Sequence, residues 1–195
     1  MLATTDAIVL SLQPCSDKAH ILHAYTRTGG RINYRVYGLG KKNTAGKYSP
    51  LSILQVTGDD KSIRTAQLSF VPQTITTDPH KRTIALFISE VLYHVLRHPM
   101  VDEPMYNFLE QAIQQLDEST DPRNFHLSFL MEFAAKLGFA IPLNSNPLSS
   151  NSLPHPPLTR TERQKALKAL CDYFEEHVET WENPKSLDVL MEVFD

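Results

Sequence analysis

The pattern of this chain changes from strand-like to helix-like near residue 77, and this change limits the folds open to it. Before that point, short apolar runs are separated by glycine and polar turns. Beyond it, four pairs of a polar residue and proline have the form typical of helix starts. We therefore predict an α+β protein with two domains, at residues 1–76 and 77–195.

Five strands are predicted in the first domain, at about residues 7–12, 21–26, 31–38, 51–56 and 63–71. In the first of them, Ile8, Leu10 and Leu12 alternate with their neighbours, which predicts a strand with one apolar face. Gly29-Gly30 suits a tight hairpin turn, because glycine tolerates positive φ. Five short strands with a long connection at residues 39–50 are typical of the OB-fold, a small Greek-key barrel.

Five helices are predicted in the second domain, at roughly residues 79–97, 104–118, 122–137, 160–180 and 184–194. The pairs of a polar residue and proline that predict four of the starts are Asp78-Pro79, Glu103-Pro104, Asp121-Pro122 and Asn183-Pro184. Thr159 and Glu162 have the spacing of a capping box for the other start. The first helix is apolar nearly all round, which predicts the central helix of a bundle. A segment rich in Pro, Ser and Asn at 144–157 interrupts the bundle as a linker or excursion.

Positive charge is concentrated between residues 27 and 48. This window holds six of the 19 Lys and Arg residues and no acid, although the whole chain has a net charge of −3. Such clustering is costly unless an anion is the intended neighbour. Cations that follow phosphates, beside aromatic rings on which bases stack, are typical of proteins that bind single-stranded nucleic acid.

We therefore predict a nucleic-acid site in this window. Its residues are Arg27, Arg31, Arg35, Tyr37, Lys41, Lys42 and Lys47. Alternation along the third strand places Arg31, Arg35 and Tyr37 on one face. Tyr34 is left out, because the same alternation places it with the apolar Ile32 and Val36. The alternative interpretation is a solvated basic loop that binds nothing.

The motifs of several enzyme classes are missing from the sequence. We find no phosphate-binding glycine loop, dinucleotide fingerprint or nucleophile elbow, which predicts a protein without catalytic activity. The two cysteines lie far apart, so neither a zinc site nor another cofactor is expected. The start of the chain lacks the pattern of a signal peptide, and the longest apolar run, Ile84–Ile88, is too short to span a bilayer. We expect a cytoplasmic location.

Several segments, taken in order, resemble a known family. In the first domain they are Ala7–Leu10, Tyr25-Thr26 followed by Gly30-Arg31, Gly40–Lys42 and Tyr48–Leu51. In the second they are Ala85–Tyr93, Asn124–Leu130 and Lys185–Leu190. Together they resemble RecO, the bacterial recombination mediator, over nearly the whole chain.

The resemblance implies an N-terminal OB-fold that binds single- and double-stranded DNA, followed by a helical domain. It also implies strand annealing in recombinational repair, close to the nucleoid. In that role the protein would work with RecR to help load RecA onto DNA coated by single-stranded-DNA-binding protein. Many members carry a four-cysteine zinc module in the helical half. This chain looks like a shorter form without zinc, because it has neither the cysteines nor the length for that module.

The resemblance further implies contact with the acidic, apolar-ended C-terminal tail of single-stranded-DNA-binding protein. Such a ligand needs an apolar pocket with cations at its rim. The candidate cations are Lys81, Arg82, Arg123 and Lys136. Phe125, Phe129 and Phe133 lie nearby at helical spacing, with bundle core as the alternative interpretation of this trio.

Two other functions fit the same residues. The first is an RNA-binding OB-fold protein, because phosphate contacts alone do not distinguish RNA from DNA. Competition between matched DNA and RNA oligonucleotides separates that function from DNA binding. The second is a protein-interaction adaptor whose basic face binds an acidic partner, and a direct DNA-binding assay separates it.

Overall fold

The computed structural model describes residues 3–39, 46–59, 62–141 and 158–193, and it confirms the α+β class. The strands are β1 (Ala3–Ser16), β2 (Ala19–Thr26), β3 (Gly30–Tyr37), β4 (Ile53–Gly58) and β5 (Ile63–Phe70). A short 3₁₀ helix, Gly46–Tyr48, precedes β4. The helices are α1 (Pro79–Val95), α2 (Glu103–Glu118), α3 (Phe125–Lys136), α4 (Arg160–His177) and α5 (Leu187–Val193). The segment at 144–157 lies outside the described residues.

The strands form one antiparallel sheet of the OB type, in the order β3-β2-β1-β4-β5. A parallel bridge between Arg35 of β3 and Ser62, just before β5, joins the two ends of the sheet at one point. Tyr34 and Val36 are buried in the cluster inside this curved sheet, as their alternation predicted. The other face of β3 therefore carries Arg35 and Tyr37, which are exposed.

Strand β1 lies between two cores, so the prediction of a single apolar face was wrong. Ala7 and Val9 pack inside the curved sheet, whereas Ile8 and Leu10 pack against the helices. A bulge between Val9 and Ser11 then shifts the alternation, and Leu12 packs with the sheet cluster rather than with Ile8 and Leu10. Both faces of the strand are buried because the helices cover the one that would otherwise meet solvent.

Two predicted helix starts are confirmed by their hydrogen bonds. The carboxylate of Asp78 accepts the N–H of His80 at 2.8 Å, with Pro79 in the first turn of α1. Thr159 and Glu162 form both halves of the capping box of α4.

The other three starts differ slightly from the prediction, because other hydrogen bonds replace the expected caps. Helix α2 is capped by Asp102, which accepts the N–H of Met105 at 2.8 Å, so Glu103 is already helical. Helix α3 begins at Phe125 rather than Pro122, because Asp121 binds the backbone and guanidinium of Arg123 instead of capping a helix. Helix α5 begins after Ser186, whose N–H and hydroxyl both donate to Glu90 of α1.

Helix α1 is central, as its apolar composition predicted, and contacts β1, α3 and α5. The aromatic trio belongs to this core: Phe129 and Phe133 are 4% and 0% exposed and stack on each other at 5.6 Å. Phe125 is partly buried against the same cluster. The bundle-core interpretation of the trio is therefore confirmed.

The segment between β5 and α1 is held by Asp117, near the end of α2. Its carboxylate accepts the backbone N–H groups of Gln73, Thr74 and Ile75 at 2.8–2.9 Å. The ammonium of buried Lys81 donates to the Asp117 carbonyl at 2.7 Å. This network fixes the chain where the sheet passes into the helices, and Ile8, Leu10 and Ile53 of the sheet share the helical core.

Candidate nucleic-acid interface

Arg27, at the end of β2, joins the sheet to helix α2. Its guanidinium lies 2.9 Å from a Glu110 oxygen, 2.6 Å from the Asn107 amide oxygen and 3.6 Å from Asp6. It also lies over the Tyr106 ring, at 4.2 Å from the centroid. The guanidinium is thus already engaged by side chains of the sheet and of α2, so we leave Arg27 out of the proposed DNA surface.

Arg31 is held in a similar way at the end of α1. It donates to the carbonyl oxygens of Tyr93 and Leu96, at 3.1 and 3.3 Å, and its guanidinium lies over the Tyr93 ring. A cation at a helix C-terminus satisfies carbonyl groups that have no partner in the helix. The hairpin is docked here so closely that a Cβ on Gly30 would lie 2.2 Å from the Met100 carbonyl oxygen. Arg31 is therefore also left out of the DNA surface.

Arg35 and Tyr37 face solvent on the outer side of β3. Tyr37 is 61% exposed, and among the described residues it is the one Phe, Tyr or Trp side chain that is largely exposed. A hydrogen bond with Tyr37 raises the pKa of Arg35, which stays charged. The pair thus offers a cation and an aromatic face together, which is the combination that single-stranded nucleic acid requires.

Arg64 on β5 completes this surface and was missed by the sequence analysis. The parallel bridge between Arg35 and Ser62 brings β3 beside the start of β5, and Arg64 lies two residues beyond Ser62. Arg64 is exposed. No window of sequence shows this proximity, because the residues are far apart along the chain and only the sheet order unites them. We call Arg35, Tyr37 and Arg64 the seam surface.

Of the three lysines predicted to bind DNA, the structure describes Lys47 and not the other two. Lys47 donates to the Ala66 carbonyl of β5 at 3.0 Å and lies over the Tyr48 ring. Lys41 and Lys42 are outside the described residues. Before these residues Tyr37 lies on β3, and after them Lys47 is bonded to β5.

Replacing two arginines separately by alanine tests whether Arg27 is structural and Arg35 binds DNA. Arg27→Ala should lower the free energy of unfolding by about 2 kcal/mol, because it removes charged hydrogen bonds that are mostly buried, and should change DNA affinity less than about twofold. Arg35→Ala should weaken DNA binding and leave the free energy of unfolding nearly unchanged. Chemical denaturation and DNA titration of both variants check this, and the opposite pattern would show that Arg27 belongs to the DNA surface.

The four candidate cations for a partner surface have different surroundings. Lys81 is 4% exposed and its ammonium is enclosed, so a partner cannot reach it. Arg123 is bound by Asp121 at 2.8 Å, and Lys136 lies over the Phe108 ring. Arg82 is exposed at a pocket of about 500 Å³ with mainly apolar walls, including Pro72, Ile75, Ala85 and Leu86. Of the four, Arg82 is thus the cation that combines exposure with an apolar pocket.

Two further observations concern metals and membranes. Within the part of the chain that the structure describes, no three His, Cys, Asp or Glu side chains are grouped to hold a metal ion. Over the same residues, no helix has the length and apolar character needed to cross a bilayer.

Comparison with known proteins gives consistent matches. Residues 76–157 match the family described as Recombination protein O C terminal. A protein of Phocaeicola vulgatus named DNA repair protein RecO is 30% identical over 240 aligned positions that cover all of both chains. The chain belongs to the RecO family. A protein of the same name from Porphyromonas gingivalis is 29% identical, and the alignment covers 100% of both chains. Another, from Flavobacterium johnsoniae, is also 29% identical, and the alignment covers 97% of this chain and 98% of the relative.

Membership of the RecO family supports a role in DNA repair and recombination and agrees with the OB-type sheet. The alignment with the Phocaeicola relative has 240 positions against the 195 residues of this chain. At least 45 positions of that relative therefore have no counterpart here. This difference agrees with the interpretation of the chain as a shorter form of RecO.

Proposed function

We propose that this RecO protein binds single- and double-stranded DNA without catalysing a reaction, and anneals complementary strands. The observation that carries the proposal is the exposed seam surface on an OB-type sheet. Bound cations neutralise phosphates and release counterions, which lowers the repulsion between two strands that approach each other. Tyr37 adds a stacking face worth roughly 1–3 kcal/mol per base.

The same proposal includes the partners that the family implies. The protein would act in the cytoplasm near the nucleoid, together with RecR, to help load RecA onto DNA coated by single-stranded-DNA-binding protein. We place the acidic tail of the latter in the Arg82 pocket, where an apolar end group would meet Ile75 and Leu86 and a carboxylate would meet the guanidinium.

An annealing assay tests the proposed activity. Two complementary oligonucleotides, one carrying a fluorophore and one a quencher, should pair faster with the protein present, and the acceleration should fall as salt rises. Matched RNA oligonucleotides serve as competitors. If the protein leaves the pairing rate unchanged at low salt, or if RNA competes better than DNA, the proposed function is wrong.

The tail site has its own variant. Arg82→Glu should weaken binding of a synthetic tail peptide about tenfold, because it replaces the attracting charge at the rim by a repelling one. Arg123→Glu is the matched control, since Arg123 is bound by Asp121 away from this pocket. Calorimetry measures the affinity of the peptide for both variants. If Arg82→Glu binds the peptide as tightly as the unchanged protein does, the tail does not bind in this pocket.

A further inference from the structure

Tyr37 stands on an open part of the outer face of β3. Its neighbour across the strand pair is Ala19 of β2, and Ser16 of β1 follows beside Ala19. Residues opposite each other in an antiparallel pair share a face, so the ring is bordered on this side by small side chains. Gly38, the next residue, has a φ of 74°, and a Cβ on it would meet none of the described residues within 4 Å. Described residues therefore leave space around the ring for a planar ligand.

The hydroxyl of Tyr37 has a partner within the fold, whereas its ring has none among the described residues. A hydrogen bond joins the phenol to the side chain of Arg35 on the same strand face. Within the described part of the chain, the ring neither stacks on another ring nor has a cation over it. The rings of Tyr48, Tyr93 and Tyr106, by contrast, each lie under a cation of this protein. Tyr37 is thus the tyrosine whose ring a ligand can use.

The cations and the ring of the seam surface would contact different parts of DNA. Arg35 and Arg64 are exposed and suited to phosphates, which single strands and duplexes both present. The faces of the bases are accessible in a single strand, and an aromatic side chain can stack on them. In a duplex the bases are stacked on each other, and bringing one out to the protein costs free energy. Stacking on the ring is therefore favourable with a single strand and not with a duplex.

We propose that Tyr37 is the specificity-determining residue by which the seam surface favours single-stranded over double-stranded DNA. The inference rests on the proposed DNA binding and assigns the source of its strand preference. One base of the single strand stacks on the ring, while neighbouring phosphates meet Arg35 and Arg64. When two strands pair, the stacking contact is lost and the phosphate contacts remain. This loss favours release of the annealed duplex, which frees the surface for another strand.

Replacing Tyr37 tests the strand preference directly. Tyr37→Ala should lower the affinity for a single-stranded oligonucleotide at least about fivefold and change that for a duplex of the same length less than about twofold. The slope of log K against log[salt] should stay unchanged, because Tyr37 carries no charge to a phosphate. Tyr37→Phe is the matched control, since it keeps the ring, and should bind both forms of DNA as the unchanged protein does. Fluorescence anisotropy measures the affinities, and chemical denaturation verifies that both variants fold.

An abasic oligonucleotide, which has the sugars and phosphates but no bases, separates stacking from a change in structure. Removal of the bases should weaken binding to the unchanged protein and to Tyr37→Phe at least about fivefold, and to Tyr37→Ala less than about twofold. If Tyr37→Ala acted only by displacing Arg35, it would weaken the binding of abasic and normal strands equally.

Three results would overturn the inference while leaving DNA binding in place. They are an equal loss of affinity for single- and double-stranded DNA in Tyr37→Ala, no loss for either, and an equal loss for the abasic and the normal strand. An unchanged protein that binds neither form of DNA would overturn the proposed function itself, and this inference with it.

Discussion

Reversing the charge of Arg35 and Arg64 together should weaken the binding of single-stranded DNA at least tenfold. Both side chains are exposed on the seam surface, and each change replaces an attraction to phosphate by a repulsion. The slope of log K against log[salt] should flatten by about 0.7 for each lost phosphate contact, so by about 1.4 for the pair. Fluorescence anisotropy at several salt concentrations measures both the affinity and the slope.

The matched control reverses two cations on the helical half. Lys165 and Lys168 are exposed on α4, so Lys165→Glu with Lys168→Glu changes the net charge by the same amount at another place. If binding depended only on net charge, the two double variants would lose affinity equally. Equal losses, or an unchanged slope in the folded Arg35/Arg64 variant, would remove the seam surface from the DNA site.

Replacing Asp117 by Ala should lower the free energy of unfolding by about 3 kcal/mol, because buried backbone N–H groups lose their acceptor. The carboxylate accepts the N–H groups of Gln73, Thr74 and Ile75, and Ile75 is 5% exposed. Glu118→Ala is the control, since Glu118 is the exposed neighbour on the same helix. Denaturant unfolding of both variants checks this, and similar stabilities would show that the network does not hold the segment.

The same carboxylate makes stability depend on pH. Burial alone would raise the pKa of Asp117, but the backbone hydrogen bonds from Gln73, Ile75 and Thr74 outweigh it, and the pKa lies below its ordinary value. The stabilisation is therefore complete above the unfolded pKa of about 3.9 and is lost as the pH falls through the folded pKa. In Asp117→Asn the free energy of unfolding should fall less steeply below about pH 4 than in the unchanged protein. The same pH dependence in both proteins would contradict this assignment.

Most of the fold could be predicted from the sequence because its signals are local. The alternation along β3 correctly separated buried Tyr34 from exposed Tyr37, and the capping box at Thr159 correctly marked α4. Two of the differences came from contacts across the fold. Helix α5 starts late because Ser186 binds Glu90 of a distant helix, and β1 is buried on both faces because helices cover one of them.

The candidate site was less predictable for the same reason. Charge alone could not distinguish Arg27 and Arg31, which are held by helices, from Arg35, which faces solvent. Arg64 could be recognised only from the bridge between Arg35 and Ser62, which is a property of the sheet. A local sequence window therefore cannot show which of its cations already have partners in the fold.

The most direct test of DNA binding is a titration of the full chain with a labelled single-stranded oligonucleotide between about 50 and 200 mM salt. Four cations are expected to reach phosphates: Arg35, Lys41, Lys42 and Arg64. Log K should then fall linearly with log[salt], with a slope of about −3. No binding at about 50 mM salt, or an affinity that does not change with salt, would contradict the account.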